Sequence, residues 1–191
     1  MVAVAGICAR EGYVEMSVED IIAEAGVSRR TFYEHFKNKQ HAFLAAYDEV
    51  VGRLLQRVSG AVGATEGFDD RIRAGLSTFL GYLAHEPDLA RLCIVEVLAA
   101  GPEAVERRNS AMRGFAALIE ENARIFLPDV PPAPGLVTET IVGGIYEVVY
   151  SRVVRGEVAT LPALVPDLAY SILLPYAGTM VTAAQRSDES E

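Results

Sequence analysis

Tryptophan is absent from the 191 residues, cysteine occurs only twice, and no stretch alternates polar and apolar residues up to a hairpin dipeptide such as Asn-Gly. The missing alternation excludes a sheet-based fold and leaves an all-α chain. Cys8 and Cys93 lie far apart in apolar surroundings, with no CxxC or Cys/His spacing, which excludes a disulfide framework and a zinc site. They read as reduced thiols of a cytoplasmic protein. His41 and His85 have no partner at ligand spacing, so they read as surface residues and the metal expectation is none. GxSxG, HExxH, the P-loop and GxGxxG are all missing, and no pair of carboxylates is spaced for acid/base work. The chain therefore reads as a non-enzyme without cofactors. Met1 to Arg10 has no basic region ahead of its apolar run, so no signal peptide is expected.

Apolar residues are plentiful: they make up 51% of the chain, and mean hydropathy is +0.22. That surplus suits a dimer interface or a ligand pocket. The most apolar stretch, Leu161 to Ala184, is long enough to span a bilayer and carries one charge, Asp167. Its three prolines, Pro162, Pro166 and Pro175, and that carboxylate favour a buried core or interface helix, with no membrane partner.

Helix signals follow one another along the chain. Ser17 and Asp20 have capping-box spacing ahead of Val18, Ile21, Ile22 and Ala25, and Gly26 closes that helix. Ser28 caps a second helix to about His35, giving a helix-turn-helix candidate joined by "AGV". Asn38 caps a long third helix to about Gly60, and "GATEG" breaks it. A helix around Ile72 to Leu83 stops at Pro87, Asp88 caps a segment to about Ala99, and another helix runs from Pro102 to Leu127. "PDVPPAPG" is a loop. Helices over about 136–155 and 161–184 are apolar around much of their circumference, as burial on two sides requires. The tail, 187–191, is expected to be disordered.

The net charge is -9, yet Arg29, Arg30, Lys37 and Lys39 against Glu34 leave +3 on residues 28–41 and -12 on the rest. A second helix of a helix-turn-helix enters the major groove, and arginine there can donate two hydrogen bonds to guanine. With Ile22, Ala23, Ala25, Gly26, Val27, Ser28, Thr31, Tyr33, Phe36 and Lys39 in register, "SVEDIIAEAGVSRRTFYEHFKNKQHAFLAAY" resembles the DNA-binding domain of the TetR (tetracycline-repressor) family.

That resemblance implies a three-helix DNA-binding domain at 1–47 and a six-helix ligand-binding and dimerisation bundle at 48–186. The implied DNA contacts are Ser17, Ser28, Arg29, Arg30, Thr31, Tyr33, His35 and Lys39. Glu34 departs from the neutral or basic residue usual there, and the basic arm that precedes the Gly12-Tyr13 pair in relatives has no counterpart in residues 1–11. A ligand cavity is implied among Phe79, Leu83, Cys93, Glu96, Val97, Met112, Phe115, Ile119, Tyr146 and Tyr150, which suits a lipophilic or aromatic effector. Ile141, Gly143, Gly144, Val148, Leu168 and Ile172 are the candidate homodimer interface. The expected function is a ligand-released repressor of a palindromic double-stranded DNA operator. A constitutive DNA-binding protein and a helical-bundle enzyme with an accessory DNA-binding module are the alternatives.

Overall fold

The computed structural model describes residues 2–188, with side chains through Ala177. All regular structure among these residues is helical: α1 (Val2–Glu11), α2 (Val18–Ala25), α3 (Arg29–His35), α4 (Lys39–Gly63), α5 (Phe68–His85), α6 (Pro87–Ile94), α7 (Pro102–Phe126), α8 (Gly135–Val154) and α9 (Val165–Asp188). Short 3-10 segments at Glu96–Leu98 and Val158–Leu164 follow α6 and precede α9.

Local chemistry places most boundaries. The Ser17 hydroxyl accepts from the Asp20 backbone N–H, and the Asp20 carboxylate accepts from the Ser17 N–H, a reciprocal cap with Asp in the glutamate position. Ser28 Oγ accepts from Thr31 N–H at 3.0 Å and Asn38 Oδ1 from His41 N–H at 2.8 Å, opening α3 and α4.

Three boundaries differ from the sequence reading. α4 continues to Gly63 because no strong breaker precedes that residue. Pro87 ends α5 but also opens α6 at its first turn, where a missing N–H costs nothing, so Asp88 lies inside the helix instead of capping it. The helix expected from Leu161 divides into a 3-10 segment containing Pro162 and then α9, with Pro166 in its first turn. α9 extends to Asp188, and the remainder of the tail expected to be disordered lies outside the described residues.

α1, α2, α3 and the first turns of α4 wrap Ile7, Cys8, Met16, Ile21, Phe32 and Phe43. α4 then leaves this module and packs along α5, where an added Cβ on Gly75 would meet Val62 at 3.1 Å and Val58 at 3.7 Å. α5 also packs on α9, and α7 on α8. One hydrophobic cluster runs without interruption from Val4 to Tyr176. Val158–Ala177 is long and apolar enough to cross a membrane by length and composition. Leu168, Ala169, Ile172 and Tyr176 bury one side of it in this core, while Tyr170 and Leu174 on the other side are exposed.

Candidate nucleic-acid interface and effector cavity

The turn between α2 and α3 depends on Gly26, whose φ of 64° lies in the left-handed region. Its N–H reaches Ala23 O, and Val27 N–H reaches Ile22 O, so the last carbonyls of α2 are satisfied while the chain reverses. Phe32 anchors α3 from beneath, 3% exposed and edge-on to Tyr33. The opposite face presents Arg29, Arg30, Tyr33, Glu34 and His35 to solvent.

Each of the two arginines already has an acidic neighbour. Arg29 Nη1 donates to Glu19 Oε1 at 2.8 Å and lies over the Tyr33 ring; Arg30 Nε donates to Glu34 Oε1 at 3.0 Å. These exposed pairs are weak and salt-screened, so a phosphate or guanine can displace the carboxylates at little cost. Ser28 and Thr31 share a hydroxyl hydrogen bond of 2.8 Å, and the Ser17 hydroxyl donates to Asp20. The hydrogen bonds from Ser17 hold the Asp20 carboxyl below the usual carboxylate range. Lys39 is placed differently from a free phosphate hook. Its ammonium donates to the carbonyls of Tyr13, Val14 and Met16 at 3.2, 2.9 and 2.9 Å and lies over the Tyr13 ring. All three of its protons therefore tie α4 to the α1–α2 loop.

Below this module an apolar cavity of about 120 Å³ lies between α4, α5 and α7. Phe79, Leu83, Cys93, Met112, Phe115, Ile119 and Tyr146 line it. Three candidates do not reach it. Val97 is plain core, Tyr150 stacks on Tyr146, and Glu96 turns toward Tyr13 in the helix-turn-helix module. The α4 face from Tyr47 through Val51, Leu54, Val58 and Val62 is the largest lining missed in the sequence, because those residues form an ordinary core stripe. Also missed were Arg71, Arg108 and Asn122, polar residues that no apolar stripe marks. Burial pushes the Tyr47 and Tyr146 hydroxyls above their ordinary range.

The cavity and the helix-turn-helix module meet through α6. Cys93 and Ile94 line the cavity, and Tyr146 donates to Ile94 O at 2.6 Å. Two residues further on, Glu96, 6% exposed, accepts the Tyr13 N–H at 2.7 Å and pairs with Arg91 at 3.1 Å. Gln40 donates to Ala100 O at 3.0 Å, and Asp48 pairs with Arg107.

The candidate dimer residues divide. Leu168 and Ile172, 8% and 3% exposed, pack into the core of their own chain. Ile141 is also packed inward. Val148 is exposed, and a Cβ added to Gly143 or Gly144 would meet nothing within 4 Å. Among the described residues no group of three or more His, Cys, Asp or Glu is placed to hold a metal.

Residues 5–46, the module just described, match the family model of the bacterial regulatory proteins, tetR family. That module is the one the tetR family shares. The chain is 33% identical over 132 residues to the HTH-type transcriptional regulator EthR of Mycolicibacterium smegmatis, covering 66% of this chain and 60% of that one. The chain thus spans about three fifths of that curated relative. The fold matches the fatty acid degradation regulator FadR of Bacillus halodurans, with a TM-score of 0.78, 22% identity and coverage of 90% and 95%. It also matches FadR of Bacillus subtilis in complex with stearoyl-CoA, with a TM-score of 0.79, 20% identity and coverage of 90% and 94%.

Proposed function

We propose that this TetR-family chain is a cytoplasmic transcriptional repressor that binds a near-palindromic operator as a homodimer and releases it when a long-chain lipophilic effector enters the cavity. The observation carrying this reading is the connection from the cavity wall at Cys93 and Ile94 to Glu96 and on to Tyr13 in the helix-turn-helix module. Residues 1–47 read as the DNA-binding part and 48–186 as the sensing and dimerising part.

In this reading Arg29 and Arg30 leave Glu19 and Glu34 to meet base edges or phosphate. Ser17, Ser28, Thr31, Tyr33 and His35 line the same approach, and Lys39 holds the loop that presents them. Exposed Gly144 and Val148 of α8, with Tyr170 and Leu174 of α9, form the surface for the second copy. A twofold pair of recognition helices then spans half-sites about 34–36 Å apart or a multiple of it.

The names of the FadR relatives, and the stearoyl-CoA in one of them, support an acyl-chain effector. A cavity of about 120 Å³ is too small for a long chain, so the occupant has to part α7 from α4 and α5. It regulates only through different affinities for the parted and closed states. The test selects duplexes from a random library at fixed salt and follows fluorescence anisotropy with and without palmitoyl-CoA. Binding weakened by the acyl compound supports the reading. Failure to enrich any duplex removes the DNA-binding part, and binding indifferent to acyl compounds removes the effector part.

A further inference from the structure

Arginines in this chain characteristically sit beside an acid, but Arg57, Arg71 and Arg108 have no carboxylate at ion-pair distance among the described residues. Arg57 lies over Tyr82 away from the cavity. The other two are on the cavity wall, and each is held in the same way by neutral groups. Arg71 Nη1 donates to Asn122 Oδ1 at 3.0 Å, and its guanidinium lies over the Phe126 ring at 4.2 Å. Arg108 Nη1 donates to Asn109 Oδ1 at 2.9 Å, and its guanidinium lies over the Tyr146 ring at 3.9 Å. In both, the Nε–H is buried and has no acceptor.

A guanidinium taken from water onto an apolar wall, with a donor unsatisfied, is costly until an anion arrives. Its planar fork fits a carboxylate or phosphate with two hydrogen bonds. The positions of the two arginines add a length. Arg108 and Asn122 are both on α7, and fourteen residues of helix separate them by about 21 Å along the axis. Leu76, Phe79, Met112 and Phe115 supply apolar wall between. A ligand with one anionic head would satisfy one end of this cavity and leave the other guanidinium bare.

We propose that the cavity takes a long aliphatic chain with an anionic group at each end, one seated on Arg108 beside Tyr146 and the other on Arg71 beside Asn122. This rests on the reading of the cavity as the effector site and adds the chemistry of the ligand's second end.

The experiment is isothermal titration calorimetry of the full chain with three probes of matched length: hexadecanedioate, hexadecanoate and methyl hexadecanoate. The dianion is expected to bind about tenfold tighter than the monoanion, as one extra charge-assisted contact implies, and the ester weakest. Either R71Q or R108Q should bring the dianion to the affinity of the monoanion. Equal binding of dianion and monoanion by the unaltered protein overturns the proposal without recourse to any variant. If the monoanion binds and lowers DNA affinity while the dianion has no advantage, the effector reading stands and only the two-ended ligand falls. If no probe binds, the fatty-chain reading falls and this proposal with it.

Discussion

The carboxylate of Glu96 accepts the backbone N–H of Tyr13 at 2.7 Å across a sequence separation of 83 residues. The carbonyl of the same Tyr13 accepts from Lys39, so one residue of the α1–α2 loop is held from the segment after α6 and from α4 at once. Gly12 makes room for this: its φ is 84°, and an added Cβ would stand 3.3 Å from Glu96 Oε2. Replacing Glu96 by Ala leaves a buried N–H without its acceptor and Arg91 without its partner. The expected loss is about 1–3 kcal/mol of stability, read by urea denaturation. Glu96→Gln keeps an acceptor and should lose less. Equal stability of all three proteins would show that the contact does not hold the loop.

On α3, the arginines start in pairs with Glu19 and Glu34. Arg29→Ala and Arg30→Ala should each cost about 1–3 kcal/mol of specific DNA binding if they make bidentate base contacts. Glu19→Gln releases Arg29 and removes a negative charge from the approach, so affinity for any duplex should rise, and more at low salt. Anisotropy titrations across salt concentrations check both; a Glu19→Gln protein that binds more weakly would mean the carboxylate itself reads DNA.

What was legible in the sequence followed from local rules. Ser17, Ser28 and Asn38 are caps because each carries an acceptor just before an apolar helical stripe, and all three accept the expected N–H. What was not legible depended on which way a long side chain points once helices are packed. Glu96 looked like a cavity residue from its apolar neighbours but turns toward Tyr13, a contact no spacing rule reveals. Leu168 and Ile172 share α9 with exposed Tyr170 and Leu174, and the apolar run alone did not tell the inner face from the outer. Arg71 and Arg108 were passed over because a charged residue in a helix is ordinarily solvated.

The two thiols provide a pH prediction. Burial pushes Cys8 from 9.0 up to about 12, with Glu96 adding to the shift, and burial alone pushes Cys93 up to about 12. In the unfolded chain the thiols ionise near their ordinary value, so above it the unfolded state binds fewer protons than the folded one. Stability is therefore fully present below about pH 9 and falls as pH rises from there toward about 12. Thermal melts of the protein and of a Cys8→Ala, Cys93→Ala double variant check this, the variant showing a shallower alkaline decline. Native protein should also react slowly with a disulfide reagent until denaturant is added; fast native labelling would contradict the buried, protonated thiols.

The outward face of α8 and α9 supplies the last prediction. Val148, Tyr170 and Leu174 are 37%, 64% and 53% exposed, an apolar surface that a lone subunit would leave in water. Near Val148, the open space at Gly143 and Gly144 lets a second helix approach closely. Leu174→Arg combined with Val148→Arg places two like charges opposite their own copies across a twofold axis, where they repel and lose solvent. Sedimentation should then show monomers with an unchanged helical spectrum, and operator affinity should collapse because a monomer reaches only one half-site. Leu168→Ala and Ile172→Ala should instead lower stability by about 2–5 kcal/mol while leaving the dimer intact, as buried aliphatic truncations do. If the double arginine variant still sediments as a dimer, the interface lies elsewhere on the bundle.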